Sequence, residues 1–301
     1  MFKKIGSDNL IILKNLSFLS ILRFFNIGVK FLLVAYLVRV LGKFNYGVLI
    51  WTDSIIQYFI IFINFGFNVY AAKYIVDNRD SKVELNKITS SVFTIKAAIF
   101  LLSLLILYLL SFFDTFSSYK EYLFFMLLMG IGEVLFPIWY FQGVEKLKLA
   151  TYITVFSRTL LVLGTLFLVT NSEDLIIHIY LIVFSSILMG VLGLYILVKK
   201  FNFSFIWVGL ETIFKILKDA YMFFLGRFLS LTFNFMTIFL IGVFYTMDYV
   251  SGFDIALKIV LVCVIPFDML QQAVFPTITR NKDKTLIKKL IVLKTACCSI
   301  S

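Results

Sequence analysis

Residues 175–198 read LIIHIYLIVFSSILMGVLGLYILV, a run of 24 side chains without an Asp, Glu, Lys or Arg, closed by Lys199 and Lys200. As a helix it would rise about 36 Å at 1.5 Å per residue, enough to cross the ~30 Å hydrocarbon core of a bilayer. The rest of the chain has the same character. Of 301 residues, 61% are hydrophobic, 36 are Phe and only 15% are charged, and the mean hydropathy is +0.99. Soluble domains are roughly half apolar and about a quarter charged, so the bilayer is this chain's solvent.

Outward from that stretch, seven further segments reach the ~20 mostly apolar residues a spanning helix needs. They lie near 16–38, 48–72, 88–111, 122–142, 149–170, 219–245 and 250–279. The N-terminus, MFKKIGSDN, has no small-residue cleavage site, so the first apolar segment is expected to stay as a membrane helix. With a cytoplasmic N-terminus, the inside segments hold 18 Lys and Arg and the outside ones only Arg39, Lys43 and Lys120. That bias predicts the orientation and explains most of the net charge of +11 as topology, with no nucleic-acid partner. The fold class expected is all-α, a polytopic membrane helical bundle.

Several chemistries lack their residues. Cys263, Cys297 and Cys298 show no disulfide or metal-ligand spacing, and His178 is the sole histidine. It lies near the outer end of its span and reads as an interfacial side chain. No phosphate-cradling GxxxxGK[ST] loop and no GxGxxG after a strand occurs. No cofactor, metal or catalytic residue is expected. The acidic groups of DNRD at 77–80 read as solvated loop charges, and Pro137 and Pro266 interrupt two of the spans.

Between the sixth and seventh spans, FSFIWVGLETIFKILK at 203–218 places Phe203, Trp207, Leu210, Phe214 and Leu217 three and four apart. The spacing predicts an amphipathic helix on the inner leaflet. After Lys289 only 12 residues remain, LIVLKTACCSIS, too few for a ninth span of ~20 residues, so the chain is expected to be cut off. The seventh span also resembles the first at an offset of 204: Lys14 matches Lys218, Arg23 matches Arg227, Asn26 matches Ser230 and Lys30 matches Asn234. After a one-residue insertion Gly47 matches Gly252 and Asp53 matches Lys258. Six spans separate the copies, an even number, which implies parallel repeats. The domains expected are a six-helix lobe over 1–198, a cytoplasmic amphipathic linker over 199–218, and an incomplete second lobe over 219–301 with two helices and part of a third.

Charges within the spans supply the candidate site. Arg23, Asn26 and Lys30 fall within an arc of about 60° on a helix, as do Arg227, Ser230 and Asn234, and as do Asp53, Gln57, Asn64 and Asn68. Thr151, Thr154, Arg158 and Thr165 align on the fifth span, Lys96 and Glu133 lie inside the third and fourth, and Asp254 and Lys258 are one turn apart. An ionisable group at a helix centre costs about 2.5–3.5 kcal/mol on insertion scales, so such residues face the bundle interior or water. They could be ion pairs that hold helices together, such as Asp53 with Arg23 or Asp254 with Lys258. The spans hold six basic residues (Arg23, Lys30, Lys96, Arg158, Arg227, Lys258) against Asp53, Glu133, Asp254 and Asp268. Pairing cannot satisfy all six, and an excess of cations suits an anion such as pyrophosphate, which Arg grips with a planar fork.

The stretches RVLGKFNYG at 39–47, NFGFN at 64–68, PIWYFQGVEKLK at 137–148, GRFLS at 226–230 and AVFPTITR at 273–280 carry a resemblance over nearly the whole chain. With them the sequence resembles the Wzx-type polysaccharide flippases of the multidrug/oligosaccharidyl-lipid/polysaccharide exporter superfamily. Lys43 stands where the family often has Pro, and the family has two six-helix lobes where this chain stops early in the second. The resemblance implies a bacterial inner-membrane protein that passes undecaprenyl-pyrophosphate-linked oligosaccharide, of O-antigen, capsule or related type, outward by alternating access. Its partners would be that substrate, membrane lipids, and the polysaccharide polymerase and chain-length proteins. On this reading Arg23, Lys30, Arg158, Arg227 and Lys258 attract the anion, while Asn26, Asp53, Gln57, Asn64, Asn68, Glu133 and Asp254 form a polar cavity or couple ion movement. A truncated fragment without activity is an alternative. A membrane polymerase or ligase is disfavoured by short outer loops, and a drug/cation antiporter by the basic stripes.

Overall fold

The computed structural model describes the backbone of residues 2–260 and the side chains of 32–232 and 235–260. Among the described residues all regular structure is helical. In chain order the helices are α1 (Phe2–Asn64), α2 (Phe67–Asp77), α3 (Lys82–Leu110), α4 (Asp114–Ser117), α5 (Lys120–Leu127), α6 (Met129–Leu135), α7 (Ile138–Gly143), α8 (Leu147–Leu168), α9 (Leu175–Phe201) and α10 (Leu210–Phe244). A short 3₁₀ turn, Ser172–Asp174, leads into α9. Leu32–Asp77, Lys82–Leu110, Lys120–Gly143, Leu147–Leu168 and Ser172–Phe201 are each long and apolar enough to cross a membrane, and Leu210–Thr232 with Phe235–Phe244, bent by 47°, makes a further candidate. The spans expected from 48 to 245 each fall on one of these. The span expected at 250–279 lies mostly outside the described residues, as do Asp268, Cys263, Cys297, Cys298 and AVFPTITR.

The chain divides into two compact units, Val38–Ser251 and Met1–Leu37 with Gly252–Ser301. Within the larger unit, helix ends follow local chemistry. Gly42, at φ 79 and ψ 166, interrupts α1. The chain breaks again where Phe65 (φ 36) and Gly66 (φ 72) turn left-handed between α1 and α2, so the span expected to be continuous over 48–72 is broken inside its NFGFN motif. Ser81 caps α3 by accepting from the Glu84 N–H. The 3₁₀ turn is closed by Asp174, whose Oδ2 accepts from the N–H groups of Thr170 and Asn171, both at 2.8 Å.

Two kinds of packing hold this unit. Between α6 and α9 the backbones touch: a Cβ added at Gly132 would lie 2.2 Å from the Ser186 carbonyl oxygen, and Ser186 Oγ donates to the Met129 carbonyl at 2.8 Å. Small residues serve this purpose in membranes, where no hydrophobic effect drives helices together. Between the later part of α1 and α10 the contact is aromatic. Trp51 stacks on Phe239 and Phe116 and donates to the Phe239 carbonyl at 3.2 Å. Tyr58 donates to the Thr232 carbonyl at 3.1 Å, and Phe62 lies against Phe224 and Phe228.

The inner-leaflet helix expected over 203–218 takes a different form. Asn202 ends α9 in a left-handed conformation, residues 202–209 are non-helical, and the next helix starts at Leu210 and continues into the span. The three-and-four spacing is outweighed by side chains of α3: Ser90 Oγ accepts from the Ile206 N–H at 2.9 Å and Asn86 donates to Ser204 Oγ at 2.8 Å. Those bonds tie the non-helical residues 204 and 206 to α3. Phe205, Trp207, Leu210 and Phe214 are exposed.

Candidate functional site

At membrane depth, the later part of α1 carries Asp53, Gln57 and Asn64 at helical spacing, each half-buried. Gln57 Nε2 donates to Asp53 Oδ1 at 3.0 Å. Asn64 Nδ2 donates both to the Ile60 carbonyl and to Glu133 Oε2 on α6, each at 3.1 Å. Of the stripe, Asn64 is therefore brought to Glu133, while Gln57 and Asp53 bond each other. Asn68 falls beyond the break at Gly66 and is exposed.

Lys96, on α3, is 1% exposed, and its Nζ donates to the main-chain carbonyl of Glu133 at 2.5 Å. From sequence Lys96 is one of the six intramembrane cations, with no partner legible. The signal that could have found its partner is Pro137, four residues beyond Glu133.

Arg158, on α8, and Arg227, on α10, are exposed, and among the described residues neither takes part in a hydrogen bond or ion pair. Arg158 stands near the middle of its helix, about 16 Å from the start and about 15 Å from the end. Its aligned neighbours are committed: Thr154 Oγ1 lies 3.7 Å from Met189 Sδ, and Thr165 Oγ1 both donates to the Leu161 carbonyl and lies 3.1 Å from His178 Nδ1. His178 is 3% exposed. This corrects its reading as an interfacial side chain, because the face of α9 on which it lies is covered by α8 and Thr165 meets its ring.

In the smaller unit, Lys258 Nζ lies 2.6 Å from Asp254 Oδ2, the carboxylate being buried and the ammonium partly so. This is the i,i+4 pair the sequence allowed. The side chains of Arg23, Asn26 and Lys30 lie outside the described residues.

Arg79 of the DNRD loop pairs with Glu145 of FQGVEK at 2.6 Å. The guanidinium beside it holds the Glu145 carboxyl below its ordinary range. Asp77 and Asp80 are exposed, as a solvated loop requires. Among the described residues no group of His, Cys, Asp and Glu is placed to hold a metal ion.

A family described as polysaccharide biosynthesis protein matches residues 12–282. A protein of Escherichia coli (strain K12) described as "Putative O-antigen transporter" is 23% identical over 297 residues, spanning 98% of this chain and 72% of that protein. A Shigella dysenteriae protein with the same description is 25% identical over 285 residues, spanning 92% and 70%. No solved structure matches the chain.

Proposed function

This chain belongs to the polysaccharide biosynthesis protein family, and on that premise we propose that it carries an undecaprenyl-pyrophosphate-linked oligosaccharide of the O-antigen or capsule type across the bacterial inner membrane. The description of the two relatives as transporters supports carriage over covalent chemistry. The 18 to 3 bias of basic residues supports a cytoplasmic N-terminus. The offset of 204 residues between matching basic stripes supports two parallel lobes, 1–198 and 219–301, joined by the cytoplasmic 199–218. Two such lobes working by alternating access would expose the cargo path to each side in turn. Polymerase and chain-length proteins would receive the exported unit.

The observation that carries the reading is the pair Arg158 and Arg227. Each is exposed at membrane depth and neither has a partner among the described residues. A guanidinium facing lipid alone is costly, whereas one facing a wet passage is ready for the pyrophosphate or a sugar carboxylate. Arg23 and Lys30 take the same role on their sequence pattern. Lys258 is less available, because Asp254 holds it. Asn26, Asp53, Gln57, Asn64, Asn68 and Glu133 line the path or couple ion movement.

The test is complementation of a strain that lacks its own transporter. Arg158→Gln and Arg227→Gln are expected to cut surface polysaccharide about tenfold or more at unchanged membrane levels, with Lys restoring part of it. Export at the unsubstituted level in both variants would overturn the assignment of these residues.

A further inference from the structure

Glu133 lies four residues before Pro137. In an uninterrupted α-helix its carbonyl would accept from the N–H of residue 137, and proline has none to give. The neighbouring donors are already used. The Phe136 N–H bonds the Gly132 carbonyl at 2.9 Å, and the Ile138 N–H bonds the Phe136 carbonyl at 3.1 Å. Within a bilayer no water stands ready to replace the missing donor, so the carbonyl must find one inside the protein.

It finds one on a different helix. Lys96 is a fully buried amine whose hydrogen bond among the described residues goes to that oxygen. The amine bonds the Glu133 carbonyl and not its carboxylate, which accepts from Asn64 Nδ2. Glu133 is thus held twice, through its backbone from α3 and through its carboxylate from α1, at the point where α6 gives way to α7.

We propose that Lys96 is a positioning residue: it supplies the hydrogen bond that Pro137 withholds from Glu133, and so fixes where the Glu133 carboxylate stands against Asn64. Any effect on transport rests on the reading of Glu133 as part of the cargo path. The bond itself does not.

That chemistry makes the loss of Lys96 repairable. Pro137→Ala returns an N–H to position 137 and should make the amine dispensable. Four forms of the full chain are compared, unsubstituted, Lys96→Met, Pro137→Ala and the double variant, for melting midpoint in detergent and for export in cells. Lys96→Met is expected to lower the midpoint by about 4 °C, or to fail to accumulate, and to cut export about tenfold. The double variant is expected to return both to the level of Pro137→Ala alone.

A double variant no better than Lys96→Met overturns the proposal. Recovery of the midpoint while export stays at the Lys96→Met level overturns the positioning role, because the bond would then serve stability alone. Glu133→Gln separates this inference from the transport reading. If it exports like the unsubstituted chain, Glu133 is not part of the path, yet the melting comparison still decides whether Lys96 and Pro137 are coupled.

Discussion

Lys96 and Arg158 are both basic side chains near the middle of apolar helices, and the protein treats them in opposite ways. The surroundings of Lys96 are closed: the amine is 1% exposed and bonded to a carbonyl, beside a helix contact between α6 and α9 in which Gly132 abuts the Ser186 backbone. The surroundings of Arg158 are open. It is exposed on α8, as is Val155 one turn before it, with no bonded partner among the described residues. An intramembrane cation is thus not one kind of feature. What separates a scaffold residue from a candidate ligand for an anion is whether its donors are already used.

The closed region should break first and hardest. Gly132→Val puts side-chain carbons into the space of the Ser186 carbonyl, and overpacking of this kind is expected to cost about 3 kcal/mol or more. The prediction is loss of membrane accumulation on immunoblot. Gly226, near Arg227, has nothing within 4 Å of an added Cβ, and Gly226→Ala is expected to accumulate normally. Equal tolerance at the two positions would erase the contrast.

On the open side the effect should fall on transport. Arg158→Gln removes a charge that no described residue engages, so its melting midpoint is expected to stay level while export falls. A lowered midpoint would move Arg158 to the scaffold class. Thr165→Val, about two turns further along the same helix, is expected to do the reverse. It strips His178 of its bond at a cost of about 1 kcal/mol, read as a lower midpoint with export retained.

The smallest effect belongs to Arg79 and Glu145. The Glu145 carboxyl is held below its ordinary value of 4.5 by the guanidinium, so the folded form binds its proton less readily than the unfolded one. The pair's contribution is therefore full above that value and is lost as pH falls through the depressed one. Arg79→Ala is expected to flatten this acid limb of a melting-against-pH profile, slightly, because both groups are exposed.

Spans were legible because hydropathy over some twenty residues is a strong signal, and the expected segments from 48 to 245 coincide with the helices seen. Breaks were legible only where proline marks them. Phe65 and Gly66 sit in a stretch that reads as apolar helix, and a left-handed Phe leaves no trace in periodicity. Residues 203–209 matched a helical spacing, yet the deciding interactions come from Asn86 and Ser90, more than a hundred positions away. The same holds for the site. The stripe of Asp53, Gln57 and Asn64 was visible as a face, but which cations are engaged is a matter of tertiary contact: Lys258 to Asp254, Lys96 to a carbonyl freed by Pro137, Arg158 and Arg227 to no described residue.

Carriage is tested by reconstitution of the full chain into liposomes that hold a polyprenyl-pyrophosphate-linked oligosaccharide in the outer leaflet, followed by its protection from an impermeant glycosidase. Protection is expected to appear faster than in protein-free liposomes and to slow at least about tenfold with Arg158→Gln. Protection at the protein-free rate, from chain shown to be folded in the membrane, would contradict it.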